Sequence, residues 1–336
     1  MFSVSSSLLE RYQDDLYLVK GATGWSTVAA LLAGLVALPF LLPKVGLGYL
    51  LFIAILMAAN VIVAVGLNML VGFTGLISLG HAGFVAIGAY ASGLLAANFG
   101  LPWYVAWIGA AVITAGFGFL VGLPALRLTG PYLAIATLGF GIAVYQVLVN
   151  WTALSGGRTG LPVQQLSLGI AGLTPTQQLY YVAAGAAVVL SWVGYNLARS
   201  HVGRALAAIR DSDIAAEVTG VNLLWYKTLA FAISAAYAGV AGAILAQALR
   251  HLEPQSFTFL ESITYFAMIV IGGLGTVSGA IIGAVILTLL PHYLSGFRQW
   301  LPIFYGAAII LMMMVEPRGI YGRWIRIKMY FKAWPL

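Results

Sequence analysis

Apolar stretches dominate this chain, and polar residues are confined to short joints between them. The apolar runs fall at 25–42, 49–71, 76–97, 103–126, 132–150, 179–198, 228–249, 257–273, 278–294 and 301–315. A helix rises about 1.5 Å per residue and a bilayer's hydrocarbon core is about 30 Å thick, so runs of roughly this length cross it as helices. No ten-residue alternation of the kind a barrel strand needs is present. The pattern therefore predicts an all-α fold, a polytopic integral membrane helical bundle with about ten transmembrane crossings. The pair at 257–273 and 278–294 is short, and reads either as two full spans or as a re-entrant pair.

The longest polar joint is 199–227, RSHVGRALAAIRDSDIAAEVTGVNLLWYK. It holds Arg199, Arg204, Arg210, Asp211, Asp213, Glu217 and Lys227, seven of the chain's 25 charged residues. Gly203 is expected to open one short helix, Ser212 or Asp213 to cap a second, and Gly220 to end it in a left-handed conformation. Ile214, Val218 and Val221 recur at i, i+4 and i+7, which gives the second helix one apolar stripe. A helix of two turns is marginal alone in water, so that stripe needs a partner surface, in this chain or in another.

The two ends have their own character. Residues 1–24 are polar, with Leu8, Tyr12 and Leu16 four apart, the pattern of a helix lying on a membrane surface. Glu10, Asp14 and Asp15, with no small-residue cleavage site, argue against a removable signal peptide. Residues 25–316 form the membrane domain. The tail, 317–336, is basic with Trp324, Tyr330 and Trp334 interleaved, as suits contact with anionic headgroups.

Charge settles the expected orientation. With the N-terminus inside, twelve basic residues fall on the inner side, Arg210, Arg323 and Lys328 among them; Lys44, Arg158, Arg250 and Arg298 fall outside. The positive-inside rule then places both termini and the 199–227 loop in the cytoplasm. Apolar residues make up 62% of the chain and charged ones 7%, far from the roughly one quarter charged in soluble domains. A net charge of +7 accordingly reflects topology rather than nucleic acid binding. There is no cysteine, hence no disulfide or thiolate chemistry.

Candidate chemistry is sparse. No Gly-x4-Gly-Lys-Ser/Thr loop is present, so energy for any pumping must come from a partner or an ion gradient. His81, His201, His251 and His292 lack ligand spacing, and neither a metal site nor a hydrolase triad is expected. Within the spans, polar candidates for a solute path are Asn60, Asn68, Ser78, His81, Thr137, Asn150, Ser234 and Glu261; each can equally act as glue between helices. His81 falls at the inner end of its run, where it serves either a transport role or a local hydrogen bond. Glu261 falls near an outer end. So little buried charge counts against a proton-coupled carrier.

Three blocks carry a resemblance. GLNMLVGFTGLISLGHAGFVAIGAYASGLL at 66–95, GPYLAIATLGFGIAVYQVLVNWTALSGGRTGL at 130–161, and the 227–287 region with its Gly272-Gly-Leu-Gly275 turn resemble LivM-type permease subunits of ABC importers for branched-chain amino acids, the hydrophobic amino acid uptake family. The letters Gly203-Arg204-Ala205, Ile209-Arg210-Asp211, Ala215-Ala216 and Gly220-Val221 resemble that family's coupling loop. The resemblance implies a translocation subunit and no enzyme, with Gly203, Arg204, Ala205, Arg210, Asp211, Ala215 and Gly220 facing an ATPase. It implies a homologous second permease, two ATPase subunits that bind ATP and Mg, an extracytoplasmic solute-binding protein near 155–162, an amino-acid substrate, and residence in a bacterial cytoplasmic (inner) membrane. No cofactor on this chain is implied. One departure is Ile142, where many members carry a glutamate after Gly-Phe-Gly.

Gly72, Gly75, Ser78 and Gly83 recur as Gly272, Gly275, Ser278 and Gly283 at a constant offset, which reads as an internal repeat or as chance in a chain with 40 glycines. The rival function is an ion-gradient-driven secondary transporter of a small polar solute, with its site at discontinuous spans.

Overall fold

A computed structural model describes residues 21–44, 46–124, 128, 130–166, 172–316 and 319–333. The surface helix expected within 1–24 lies largely outside them. In chain order the helices are α1 (Gly21–Lys44), α2 (Leu50–Thr74), α3 (His81–Phe99), α4 (Trp103–Gly122), α5 (Pro131–Asn150), the short α6 (Thr152–Ser155), α7 (Pro175–Arg199), α8 (His201–Asp211), α9 (Asp213–Val218), α10 (Leu223–Leu249), α11 (Phe259–Gly272), α12 (Val277–Tyr293), α13 (Leu301–Val315) and α14 (Gly319–Ala333). Two tiny strands, β1 (Leu161–Pro162) and β2 (His251–Leu252), pair antiparallel. Among the described residues the protein is all-α in every other respect.

Among the described residues, eight helical stretches are long and apolar enough to cross a membrane, and Ala33–Lys44 and Val277–Tyr293 are shorter apolar helices. The chain divides into two units, residues 52–324 and residues 1–51 with 325–336. Described parts of the smaller unit are α1, the start of α2 and the end of α14.

Within the larger unit α2 and α10 form the interior. α10 is built largely from alanine and glycine, and Ala230, Ala235, Ala238, Ala241 and Ala243 are fully buried. With no hydrophobic drive between helices in lipid, close backbone approach is what holds such a core. Gly88 of α3 seats against Gly239, Gly242 against the Val85 carbonyl, Gly118 of α4 against Ala235, and Gly66 of α2 against Tyr237. A Cβ at any of these would overlap its neighbour. Tyr237 also donates to the Leu190 carbonyl of α7 at 2.9 Å, which ties α7 to the interior.

Large apolar side chains point outward from the remaining helices: Ile108 and Val112 on α4, Ile135 on α5, Val189 and Trp192 on α7, Ile310 and Met314 on α13. An apolar exterior around a small-residue interior is the arrangement a bilayer selects.

The run at 76–97 corrects the sequence expectation. α2 ends at Thr74, residues 75–80 are not helical, and α3 starts only at His81. Gly75, with φ +72°, turns the chain left-handed out of α2. Apolar composition marked this stretch as span, but glycine is a poor helix former and composition does not report backbone conformation.

The pair α11 and α12, 14 and 17 residues long, runs antiparallel on either side of the turn at 273–276. α10 carries the chain away from the 199–227 loop, and the turn at 273–276 is back beside Arg210 of that loop. α12 then runs along α2, where Asn60 donates to Thr288 at 2.9 Å. Gly272, Gly279 and Gly283 let α11 and α12 touch backbone to backbone.

Candidate functional site: a broken span and a loop that grips it

The unwound segment at 75–80 ends deep in the bundle. Gly80 presses on the Thr137 carbonyl and on Gly141, six and ten residues along α5, or about 9 to 15 Å from that helix's start. Ala82 lies beside Ser262, ten residues or about 15 Å before the end of α11. The N-terminus of α3 is therefore set inside the bundle, with His81 as the first residue of its helix.

Irregular backbone at that depth survives only if its polar groups find partners in protein. The Leu79 N–H donates to Thr137 Oγ1 at 3.0 Å, and the Ala82 N–H, one of the helix's free first-turn donors, donates to Ser262 Oγ at 2.9 Å. Thr137 Oγ1 in turn donates to the Ala134 carbonyl at 3.0 Å. Two other helices thus cap α3 where its own sequence offers no side-chain cap.

A small cleft of about 10 Å³, room for a water and not for a larger solute, adjoins this N-terminus, lined by Leu79, Ala82, Leu138, Ile142, Phe259 and Ser262 among others. Its walls are apolar and its polar points are hydroxyls. His81 and Ser78 are fully buried next to it in sequence, and neither His81 ring nitrogen nor Ser78 Oγ has a hydrogen-bond partner among the described residues. The His81 ring meets Phe84 edge-on at 5.7 Å, and Phe84 in turn leans on Phe140 at 4.8 Å.

Of the sequence candidates, Ser78, His81 and Thr137 gather at the break. Glu261, half-buried in the first turn of α11, stands next to Ser262, where an acidic side chain complements the helix dipole. Asn68 is buried at the far end of α2: its amide donates to the Thr276 carbonyl at 2.9 Å and accepts from the Gly275 N–H at 3.0 Å. Ser234 lies apart, buried on α10. Asn150 bonds the Gln146 carbonyl within its own helix at the exposed end of α5. Ser262 was missed because a serine one position after a more conspicuous glutamate carries no signal until α3 is placed against it.

The 199–227 loop folds as two short helices. α8 starts at His201, two residues before Gly203, with Ser200 as its cap. Gly203 sits against the Ala198 and Leu197 carbonyls, so the sharp turn out of α7 leaves no room for a Cβ. Leu206 is buried with Leu70, Leu76, Leu133 and Phe231, which seats α8 on the bundle. Ser212 caps α9 by accepting from the Ala215 N–H, and Gly220, with φ +88°, follows its end. Asp213 pairs with buried Lys227 of α10 at 2.7 Å.

Side chains in this loop divide by direction. Arg210, itself an exposed residue, donates to the Gly72 carbonyl at 2.5 Å. Arg204 donates to the Arg199 carbonyl at 3.3 Å, Ala205 is half-buried, and Asp211, Ala215 and Gly220 are exposed. Ile214 and Val218 are 78% and 83% exposed, so the apolar stripe of α9 faces away from the bundle while Ala216 packs against it.

Comparison with known proteins agrees with this architecture. A family model described as branched-chain amino acid transport system / permease component matches residues 49–315. The high-affinity branched-chain amino acid transport system permease protein LivM of Salmonella typhimurium is 35% identical over 316 residues, covering 87% of this chain and 73% of that protein. LivM of Escherichia coli is likewise 35% identical, over 87% and 74%. LivH of Salmonella typhimurium is 27% identical over 78% of this chain and 91% of its own length. No solved structure matches. By the extent of the family match and the identity to the two LivM proteins, the chain belongs to the branched-chain amino acid transport permease family.

Proposed function

We propose that this chain is a permease subunit of an ABC importer in a bacterial cytoplasmic membrane and forms, with a homologous second permease, the path for branched-chain or related amino acids. Two partner ATPases bind ATP and Mg and supply the work; an extracytoplasmic binding protein delivers solute. This chain performs no chemistry on the substrate and binds no cofactor.

The observation that carries the reading is the two-faced α8–α9 unit. Leu206, Arg210 and the Lys227–Asp213 pair hold it to the bundle, while Ile214 and Val218 present an apolar face outward. An apolar stripe that the chain does not bury itself asks for a protein surface. Both a LivM and a LivH among the relatives support a second permease beside this one. Spans with so little fixed charge suit a zwitterion with an aliphatic side chain. Ser78, His81, Thr137 and Glu261 border the route, Asn68 governs its inner end, and Ser234 lies behind it.

Reconstitution tests this. The wild-type chain with its genomic partners in liposomes is expected to take up labelled leucine, isoleucine or valine only with binding protein outside and ATP at the ATPases. Ile214→Asp is expected to abolish capture of the ATPase. Uptake by the lone subunit under an ion gradient, without ATP, is the outcome that sinks the proposal and favours a secondary carrier.

A further inference from the structure

The end of α2 is held in an unusual way. Its last carbonyls have no intrahelical donor, and the Gly72 carbonyl finds one in Arg210 at 2.5 Å. A cation at a helix C-terminus also complements the dipole. The Arg210 stem passes over Gly75, where a Cβ would lie 3.5 Å from Arg210 Cγ, and its guanidinium covers Gly275, where a Cβ would lie 2.7 Å from Nη1. Gly72 itself sits directly on the Gly275 N–H. From the other side Asn68 bonds both the Gly275 N–H and the Thr276 carbonyl.

One guanidinium and one carboxamide thus join three parts: the α8–α9 unit, the α2 exit at Gly72–Gly75, and the α11–α12 turn. The repeat noticed in the sequence acquires a physical meaning, since its two glycine turns are in contact and share one arginine. Both Gly75 and Gly275 are left-handed, with φ +72° and +75°. From Gly75 the chain runs only to Leu79 and Ala82 before it is bonded to Thr137 and Ser262 at the cleft.

We propose that Arg210 is a positioning residue that transmits movement of the α8–α9 unit to the α2–α3 break and to the α11–α12 turn, and so sets the state of the cleft. The assignment rests on the reading of the chain as an ATPase-driven permease. It makes Arg210 a coupling element directed at this chain's own backbone. Lysine keeps a cationic donor for the Gly72 carbonyl; glutamine keeps most of the length and loses the charge.

The test uses the complete complex in liposomes with wild-type, Arg210→Gln and Arg210→Lys chains, reading ATPase capture, ATP hydrolysis and leucine uptake separately. Expected for R210Q, in complexes matched for bound ATPase, is continued hydrolysis with uptake per ATP hydrolysed lowered at least tenfold, and recovery of at least half of it in R210K. Because the chain has no cysteine, Leu274→Cys places a single thiol in the α11–α12 turn. Its maleimide labelling rate is expected to change between nucleotide-free and ATP-bound complexes when residue 210 is arginine or lysine, and to stay constant in R210Q. Unchanged coupling in R210Q, or a labelling change that persists there, overturns the proposal alone. Loss of ATPase capture in both R210Q and R210K makes Arg210 a docking residue and overturns it too. Absence of ATP-dependent uptake by the wild-type complex overturns the permease reading itself.

Discussion

Glycines in this protein are not interchangeable, and the difference is where a methyl group would go. At Gly80 a Cβ lands on the Thr137 carbonyl, a backbone atom that cannot swing aside, whereas at Gly116 of α4 it meets open space. Gly80→Ala is expected to cost about 1 to 3 kcal/mol through overpacking and to abolish uptake, because it displaces the unwound segment from α5. Gly116→Ala is expected to be neutral or to stabilise by about 0.5 to 1 kcal/mol, since alanine favours helix interiors. Thermal unfolding in detergent, followed alongside uptake, checks both, and equal behaviour of the two variants contradicts the geometry. The count of glycines was readable from the chain; which of them bear on a neighbour was not, since that depends on the approach of residues far apart in sequence.

For the elements, the interest lies in how α9, only six residues long, keeps its orientation. A Ser212 cap and the Asp213 bond to Lys227 are what fix it. Lys227 is almost fully buried, while the Asp213 side chain is 39% exposed and partly screened by water. Lys227→Met is therefore expected to leave the bundle folded but to weaken ATPase capture by about fivefold, the factor that roughly 1 kcal/mol of a part-exposed ion pair represents. Titration of immobilised complex with the ATPase subunit measures it; undiminished capture would remove the pair from the docking argument. The sequence placed this loop and its Ser212 and Gly220 stops well, because capping is a local matter decided within a few residues. It did not tell that Arg210 bonds the Gly72 carbonyl while Ile214, four residues on, stays exposed.

At the scale of the whole molecule, the bias of basic residues predicts an inner position for the α8–α9 unit, which is open to direct measurement. A single cysteine at Ser212, exposed between α8 and α9, is expected to react with an impermeant maleimide only in inside-out vesicles or after permeabilisation. Labelling in intact spheroplasts reverses the topology and removes the ATPase from consideration.

Hydrophobic run length was enough, without any coordinates, for the all-α membrane class, because bilayer thickness and backbone hydrogen bonding leave few choices to a chain so apolar, and the motifs at 66–95, 130–161 and 227–287 were enough for the family resemblance. Tertiary structure alone decided that the run at 76–97 is broken at 75–80, that Ser262 caps α3 across 180 positions of sequence, and that two glycine turns 200 residues apart close on one arginine. The reason is physical: whether a buried amide is satisfied by its own helix or by a distant hydroxyl is settled by what packs beside it, and composition does not record that.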